Sequence, residues 1–274
     1  MELFRYGFFQ HAFFSAILMS VTCGIIGTYI VSRRMVFISG GITHASFGGV
    51  GIGYFLGFPP LAGAALFAVL AALTTENLTR RKVLRNDSII AIMWSLGMAL
   101  GIIFITMTPG YAPNLMSYLF GSILTVTALD LWLMLSLAVV VTAFFTILFK
   151  PILYISFDEQ FAKTRGIPVM LMNYLLIILV ALTVVLSIRI AGIILVLSIL
   201  TIPQNIANLF TNRFGKIMVW SVLIGFVASL LGLVFSYYMD IPSGATIIFT
   251  LVVMYLAARL LKVVTFSRRN IISR

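Results

Sequence analysis

From Phe8 to Leu261 the chain is a succession of apolar runs of roughly 20 residues parted by short connectors, a pattern that permits few folds. Backbone N–H and C=O groups in lipid find no water, so a run of this length without polar alternation closes its hydrogen bonds within itself, as a helix. Hydrophobic residues make up 62% of the chain and charged residues 9%, with a mean hydropathy of +1.16. No stretch remains for a soluble domain of useful size. The expected fold class is all-α, a polytopic transmembrane helical bundle forming one domain over residues 1–274. Spans are expected near 8–32, 37–57, 60–78, 88–108, 128–149, 169–189, 192–211, 216–238 and 243–261, about nine in all. Between Pro109 and Thr127 the apolar piece from Leu115 to Leu124 is too short to cross, which leaves eight or ten spans open.

The first run is too long for a signal-peptide core and has no small-residue cleavage site, so it is expected to stay in the mature protein. The single cysteine, Cys23, lies inside that run and has no intrachain partner; its expected role is packing.

A net charge of +11 raises the question of nucleic acid, but the placement of the cations answers it. If Arg33 and Arg34 lie in the cytoplasm, alternation along the spans gathers every other Lys and Arg on the same side except Arg5 and Arg189. That is the positive-inside bias of a membrane protein, and it needs no nucleic-acid partner. It places the N-terminus outside and the C-terminus in the cytoplasm.

Motifs for chemistry are missing. The chain has no G-x-x-x-x-G-K-[ST] phosphate loop, no H-E-x-x-H, no G-x-S-x-G and no Cys/His cluster of metal-finger spacing. It is therefore expected not to be an enzyme, and transport remains.

One ionisable group stands out within the spans. His44 lies in a glycine-studded segment where Gly41, Ala45, Gly49, Gly53 and Gly57 recur every fourth residue, a smooth strip against which another backbone can press. Gly40 and Gly48 flank His44 at i−4 and i+4. An imidazole at membrane depth is costly unless it is used, as an ion ligand or gate or in a bond to a neighbouring helix. Ser39 and Thr43 are polar groups near the same turn, and Gln204 and Asn205 follow Pro203 in the seventh span. Pro203 lacks an N–H, so carbonyls such as that of Ile199 are expected to be free for a ligand, water or side chain. Asp130 and Asp240 are expected as solvated groups at outer span ends with Arg189 nearby, and Glu76 and Asp87 in surface ion pairs amid Arg80 to Arg85.

The longest polar interruption separates the fifth and sixth spans. There Asp158 and Glu159 favour the start of a short helix, and Gly166 before Pro168 favours its end, giving a cytoplasmic segment of about 156–167. Pattern alone fits two readings: a helix lying on lipid headgroups, or one docking into a cytoplasmic ATPase through Phe157, Phe161 and Ala162.

Arg33-Arg34-Met35, Gly-Gly-Ile-Thr-His44-Ala, Tyr118-Leu-Phe-Gly121-Ser-Ile, Phe157-Asp158-Glu159 to Gly166, Ala191-Gly192-Ile-Ile-Leu-Val to Pro203, and Asp240-Ile-Pro-Ser-Gly244 follow one another along the chain. In that order they resemble the permease family of zinc, manganese and iron ABC importers. The resemblance implies a homodimeric, multi-pass permease of the bacterial inner membrane carrying a divalent metal ion, with no permanently bound cofactor. ATP would be bound by a partner ATPase subunit, and a metal-binding protein would work outside. Asp158, Glu159, Phe161, Ala162 and Gly166 match the family's ATPase-coupling region.

The family's relatives pair the histidine matching His44 with an aspartate one turn earlier, and here that position is Gly40. An imidazole without the carboxylate serves a softer ion such as zinc better than manganese, which prefers oxygen. His44 is the first candidate ligand, with Thr43, Gln204 and Asn205 as supporting ones. A secondary cation transporter and a permease for a metal chelate are the alternative functions.

Overall fold

The computed structural model describes residues 7–82, 84–109 and 126–272, with side chains as far as Val264. The motif from Tyr118 to Ile123 lies outside the described residues, as does most of the uncertain element around 109–127. Those residues form α1 (Gly7–Ser32), α2 (Val36–Leu56), α3 (Pro60–Arg80), α4 (Asn86–Met107), α5 (Ala128–Ile147), α6 (Phe149–Phe157), α7 (Glu159–Thr164), α8 (Val169–Ala191), α9 (Ile193–Ile199), α10 (Ile202–Phe210), α11 (Phe214–Met239) and α12 (Ser243–Ile272). Among them, eight segments are long and apolar enough to cross a membrane, the α9–α10 pair counting as one. The ninth expected span, α2, has a spanning length of 21 residues, but its glycines dilute its apolarity. Its surroundings explain how it tolerates that: α2 is sheathed by α3 and α4.

α1 is the axis of the bundle. Ala12, Ala16, Met19, Cys23, Ile26 and Ile30 are fully buried, alternating steps of four and three that draw one stripe along the helix. Around α1 pack α5, α8 and α11, while α8 reaches across to α3.

In lipid no hydrophobic drive pulls helices together, so close backbone approach and van der Waals contact must do so. The glycines of α2 supply that approach on two faces. Toward α3, Gly49 faces Gly63, and a Cβ added at Gly53 would lie 2.9 Å from Pro60 Cα. Toward α4, a Cβ on Gly51 would lie 2.5 Å from the Gly101 carbonyl oxygen, and one on Gly97 would lie 2.5 Å from Ala45 Cα. The strip read from the four-residue period is thus divided between two seams: Gly41 and Ala45 face α4 together with Gly48 and Gly51, and Gly49 and Gly53 face α3. Gly57 does not belong to the strip: at φ +74° it is the left-handed cap that ends α2, with open space around it.

The span expected at 192–211 is broken at Leu200 and Thr201, and Pro203 stands in the first turn of α10, where its missing N–H costs nothing. A break before the proline replaces the kink at it.

Candidate functional site

His44 is carried on the middle of α2, half-buried, with its ring flat against the indole of Trp94 on α4. The ring centroids are 4.0 Å apart and the planes 4° apart. Imidazole Nδ1 is buried with no hydrogen-bond partner. Nε2 is not enclosed in this way, so a ligand reaching the ring without turning it would meet Nε2. Thr43, fully buried, donates its hydroxyl proton to the Ser39 carbonyl oxygen at 2.6 Å, and Ser46 donates its own to the Thr43 carbonyl oxygen at 2.7 Å. Both protons are thereby committed to their own helix, as is common for Ser and Thr in membrane helices, while the oxygen lone pairs stay unused. Space is available at Gly40, where an added Cβ would meet only Leu197 Cδ2 at 3.8 Å.

Gln204 is not brought to His44. It is fully buried in the seam between α1 and α10, where its Nε2 donates to the carbonyl oxygens of Cys23 at 2.9 Å and Ile199 at 3.2 Å. The Ile199 carbonyl expected to be free is therefore satisfied, by the side chain next to the proline that could not satisfy it. Asn205 is exposed and donates to the Thr201 carbonyl oxygen, 2.8 Å, one turn back. Both amide NH2 groups mend the backbone of the broken helix, while Gln204 Oε1 is left buried and without a partner. Among the described residues no three His, Cys, Asp or Glu side chains gather as a metal cluster.

Asp130 is not a solvated end group. Only 7% exposed, it forms a capping box with Thr127 at the start of α5 and lies 3.4 Å from Arg189 Nε. The pair borders a cavity of about 330 Å³ shared with Ser46, Tyr54 and Pro60. Glu76 and Arg80 do pair, at 2.6 Å one turn apart on α3.

The polar interruption is built as α6 and α7. Asp158 caps α7, its Oδ1 accepting from the backbone N–H groups of Gln160 at 2.8 Å and Phe161 at 3.0 Å. Gly166, at φ +74°, closes it: its N–H reaches the Lys163 carbonyl and that of Ile167 the Ala162 carbonyl, a Schellman motif. Phe157 and Phe161 are exposed, and Arg165 lies 5.1 Å over the Phe161 ring. Ala162, fully buried, faces the bundle; its methyl seats the helix instead of meeting a partner, contrary to expectation.

Glu159 makes contacts that the sequence did not disclose. Its Oε1 accepts from Arg33 Nη2 at 2.6 Å and from Asn173 Nδ2 at 2.8 Å, while Arg33 Nη1 donates to the Ile155 carbonyl oxygen at 2.8 Å. One carboxylate ties α7 to the end of α1 and the start of α8. Burial alone would raise its pKa, but the hydrogen bonds of Asn173 and Arg33 and the charge of Arg33 outweigh burial and hold it below the usual carboxylate value. The stabilisation is complete above the ordinary carboxylate range and is lost as pH falls through the lowered value. At 34% side-chain exposure, solvent screening limits it to about 1 kcal/mol. Thermal denaturation of the purified protein against pH is expected to show this acid limb, and Glu159→Gln to flatten it; an identical pH profile in the variant refutes the assignment.

Trp94 was also missed, although a signal existed. It stands three residues before Gly97 and seven before Gly101, hence on the α4 face that those glycines press against α2.

The chain matches the sequence profile of the ABC 3 transport family over residues 5–262. It is 42% identical over 255 residues to an uncharacterized membrane protein of Synechocystis, covering 93% of this chain and 91% of that one. It is 34% identical over 247 residues to the manganese transport system membrane protein MntC of Halalkalibacterium halodurans, covering 90% and 85%. Its fold matches PsaBC from Streptococcus pneumoniae with a TM-score of 0.83 at 32% identity, covering 93% and 92% of the two chains. An all-helical, multi-pass inner-membrane protein whose whole transmembrane region is matched in this way belongs to the ABC 3 transport family of membrane permeases.

Proposed function

We propose that the chain is the membrane-spanning subunit of an ABC importer for a divalent transition-metal ion. It forms a homodimer, is driven by a separate cytoplasmic ATPase, and is loaded by a metal-binding protein on the outer side. The observation that carries this reading is the half-buried His44 ring, held in the glycine-packed centre of a permease fold with no hydrogen bond to occupy Nδ1. Two such rings from facing protomers supply two nitrogen ligands, the remaining positions of a manganese ion being filled by oxygen donors or water. The relative in Halalkalibacterium is named for manganese transport, and manganese is the ion proposed here. The bare imidazole predicts that zinc competes with it strongly.

The residues from Asp158 to Gly166 form the ATPase-coupling segment. Phe157 and Phe161 give the apolar contact, Asp158 and Gly166 fix the helix ends, and Glu159 passes displacement of α7 to α1 and α8. The whole chain serves as one transmembrane permease domain.

Proteoliposomes holding the permease, its ATPase and the binding protein test the reading. Manganese uptake is expected to require ATP, to stop with vanadate and to fall when zinc is added. Uptake that follows an ion gradient and ignores vanadate would identify a secondary transporter instead.

A further inference from the structure

A ligating histidine is ordinarily held by a hydrogen bond from its second ring nitrogen to a carboxylate, a carbonyl or water, which sets the plane of the ring. His44 has no such hold. Nδ1 is buried without an acceptor, the position one turn earlier is Gly40, and the hydroxyls of Thr43 and Ser46 are bound to carbonyls of their own helix. What it has is an indole lying parallel at 4.0 Å.

We propose that Trp94 is the positioning residue for His44, fixing by stacking the ring plane that a hydrogen bond fixes in other metal sites, so that Nε2 stays turned toward the ion. The inference rests on the reading of His44 as an ion ligand and adds the group that makes a lone imidazole sufficient. The contact is enforced by the backbones. With Gly97 and Ala45 pressed together so closely that a Cβ has no room, Trp94 on α4 is brought over His44 on α2. Indole has no lone pair to offer a metal, so it orients the ligand without competing for a coordination position. Its electron-rich face also favours the positive charge that builds on an imidazole donating to a cation. Trp132 and Trp220 do neither, being 69% and 53% exposed on the outer faces of α5 and α11.

The test uses the complete transporter in proteoliposomes with manganese(II) as probe, in a background where Trp132, Trp220 and the tryptophans of the partner subunits are replaced by Phe so that Trp94 is the one tryptophan excited. Trp94→Leu, which keeps apolar bulk and loses the flat stack, is expected to raise KM for manganese about tenfold or more, the usual effect of losing a ligand's orienting partner. Its maximal ATP-driven rate is expected to stay within about twofold, and Trp94→Phe to restore KM to within about threefold. Paramagnetic manganese is expected to quench Trp94 emission in the parent and to lose that effect in His44→Ala. An unchanged KM in Trp94→Leu, beside abolished uptake in His44→Ala, overturns the positioning role and leaves His44 a ligand. Unchanged uptake in His44→Ala overturns the ligand reading and this inference together. If Trp94→Leu does not fold, absence of quenching in the parent overturns the proposal.

Discussion

Manganese uptake by a His44→Ala permease is expected to fall by on the order of a hundredfold or more, beyond what loss of an orienting partner causes, because the donor itself is gone. Assembly is expected to survive. The ring is half-buried, makes no hydrogen bond through Nδ1, and contributes to packing chiefly by its stack on Trp94, worth about 1 kcal/mol. Size-exclusion behaviour and ATPase binding therefore stay as in the parent while transport is lost. Gly40→Asp sharpens the test, since the space beyond Gly40 holds only Leu197 Cδ2 at 3.8 Å and position 40 is one turn from His44. An added carboxylate supplies the oxygen that manganese prefers and the charge that offsets its dehydration. The variant is expected to take up manganese with a lower KM and to be less inhibited by zinc. Full uptake in His44→Ala, or no change in either ion with Gly40→Asp, would place the ion path away from this turn of α2.

Apolar run length and charge placement made the helices legible, because lipid enforces a simple rule on every span. The elements from α1 to α4 begin and end within a few residues of the runs that predict them. What a single chain conceals is partnership. A glycine period reveals which face is smooth, but not that α2 is gripped from two sides, nor that the final glycine of the period is a cap. Pro203 signals a missing donor, and only the packing of α10 on α1 shows that the neighbouring Gln204 replaces it. Thr43 and Asn205 read only as polar in the sequence, and the fold shows where their protons go, to the carbonyl four residues back on their own helix. Glu159 and Ala162 share a short helix, and only the fold distinguishes the carboxylate tied to two spans from the methyl turned inward.

The largest effect on stability is expected at Gly49. An added Cβ there would run into the Gly63 backbone, with the carbonyl carbon at 2.5 Å and Phe67 Cβ at 2.7 Å, and neither helix backbone can turn aside as a flexible side chain would. Gly49→Ala must push α2 off α3, at a cost of about 3 kcal/mol, the upper part of the range for overpacked cores. Gly40→Ala is the matched control: the same chemistry in the same helix, with an ordinary contact to Leu197 Cδ2 at 3.8 Å in place of a clash, and up to about 1 kcal/mol gained from helix propensity. Thermal unfolding of the purified variants is expected to separate them clearly, Gly49→Ala melting well below the parent and Gly40→Ala at or above it. Equal melting temperatures would mean that the α2–α3 contact is not what fixes α2. Since α2 carries His44, a displaced but folded Gly49→Ala protein should also transport poorly, and reduced uptake in a sample that still binds its ATPase would trace that loss to the position of the imidazole and not to a missing subunit.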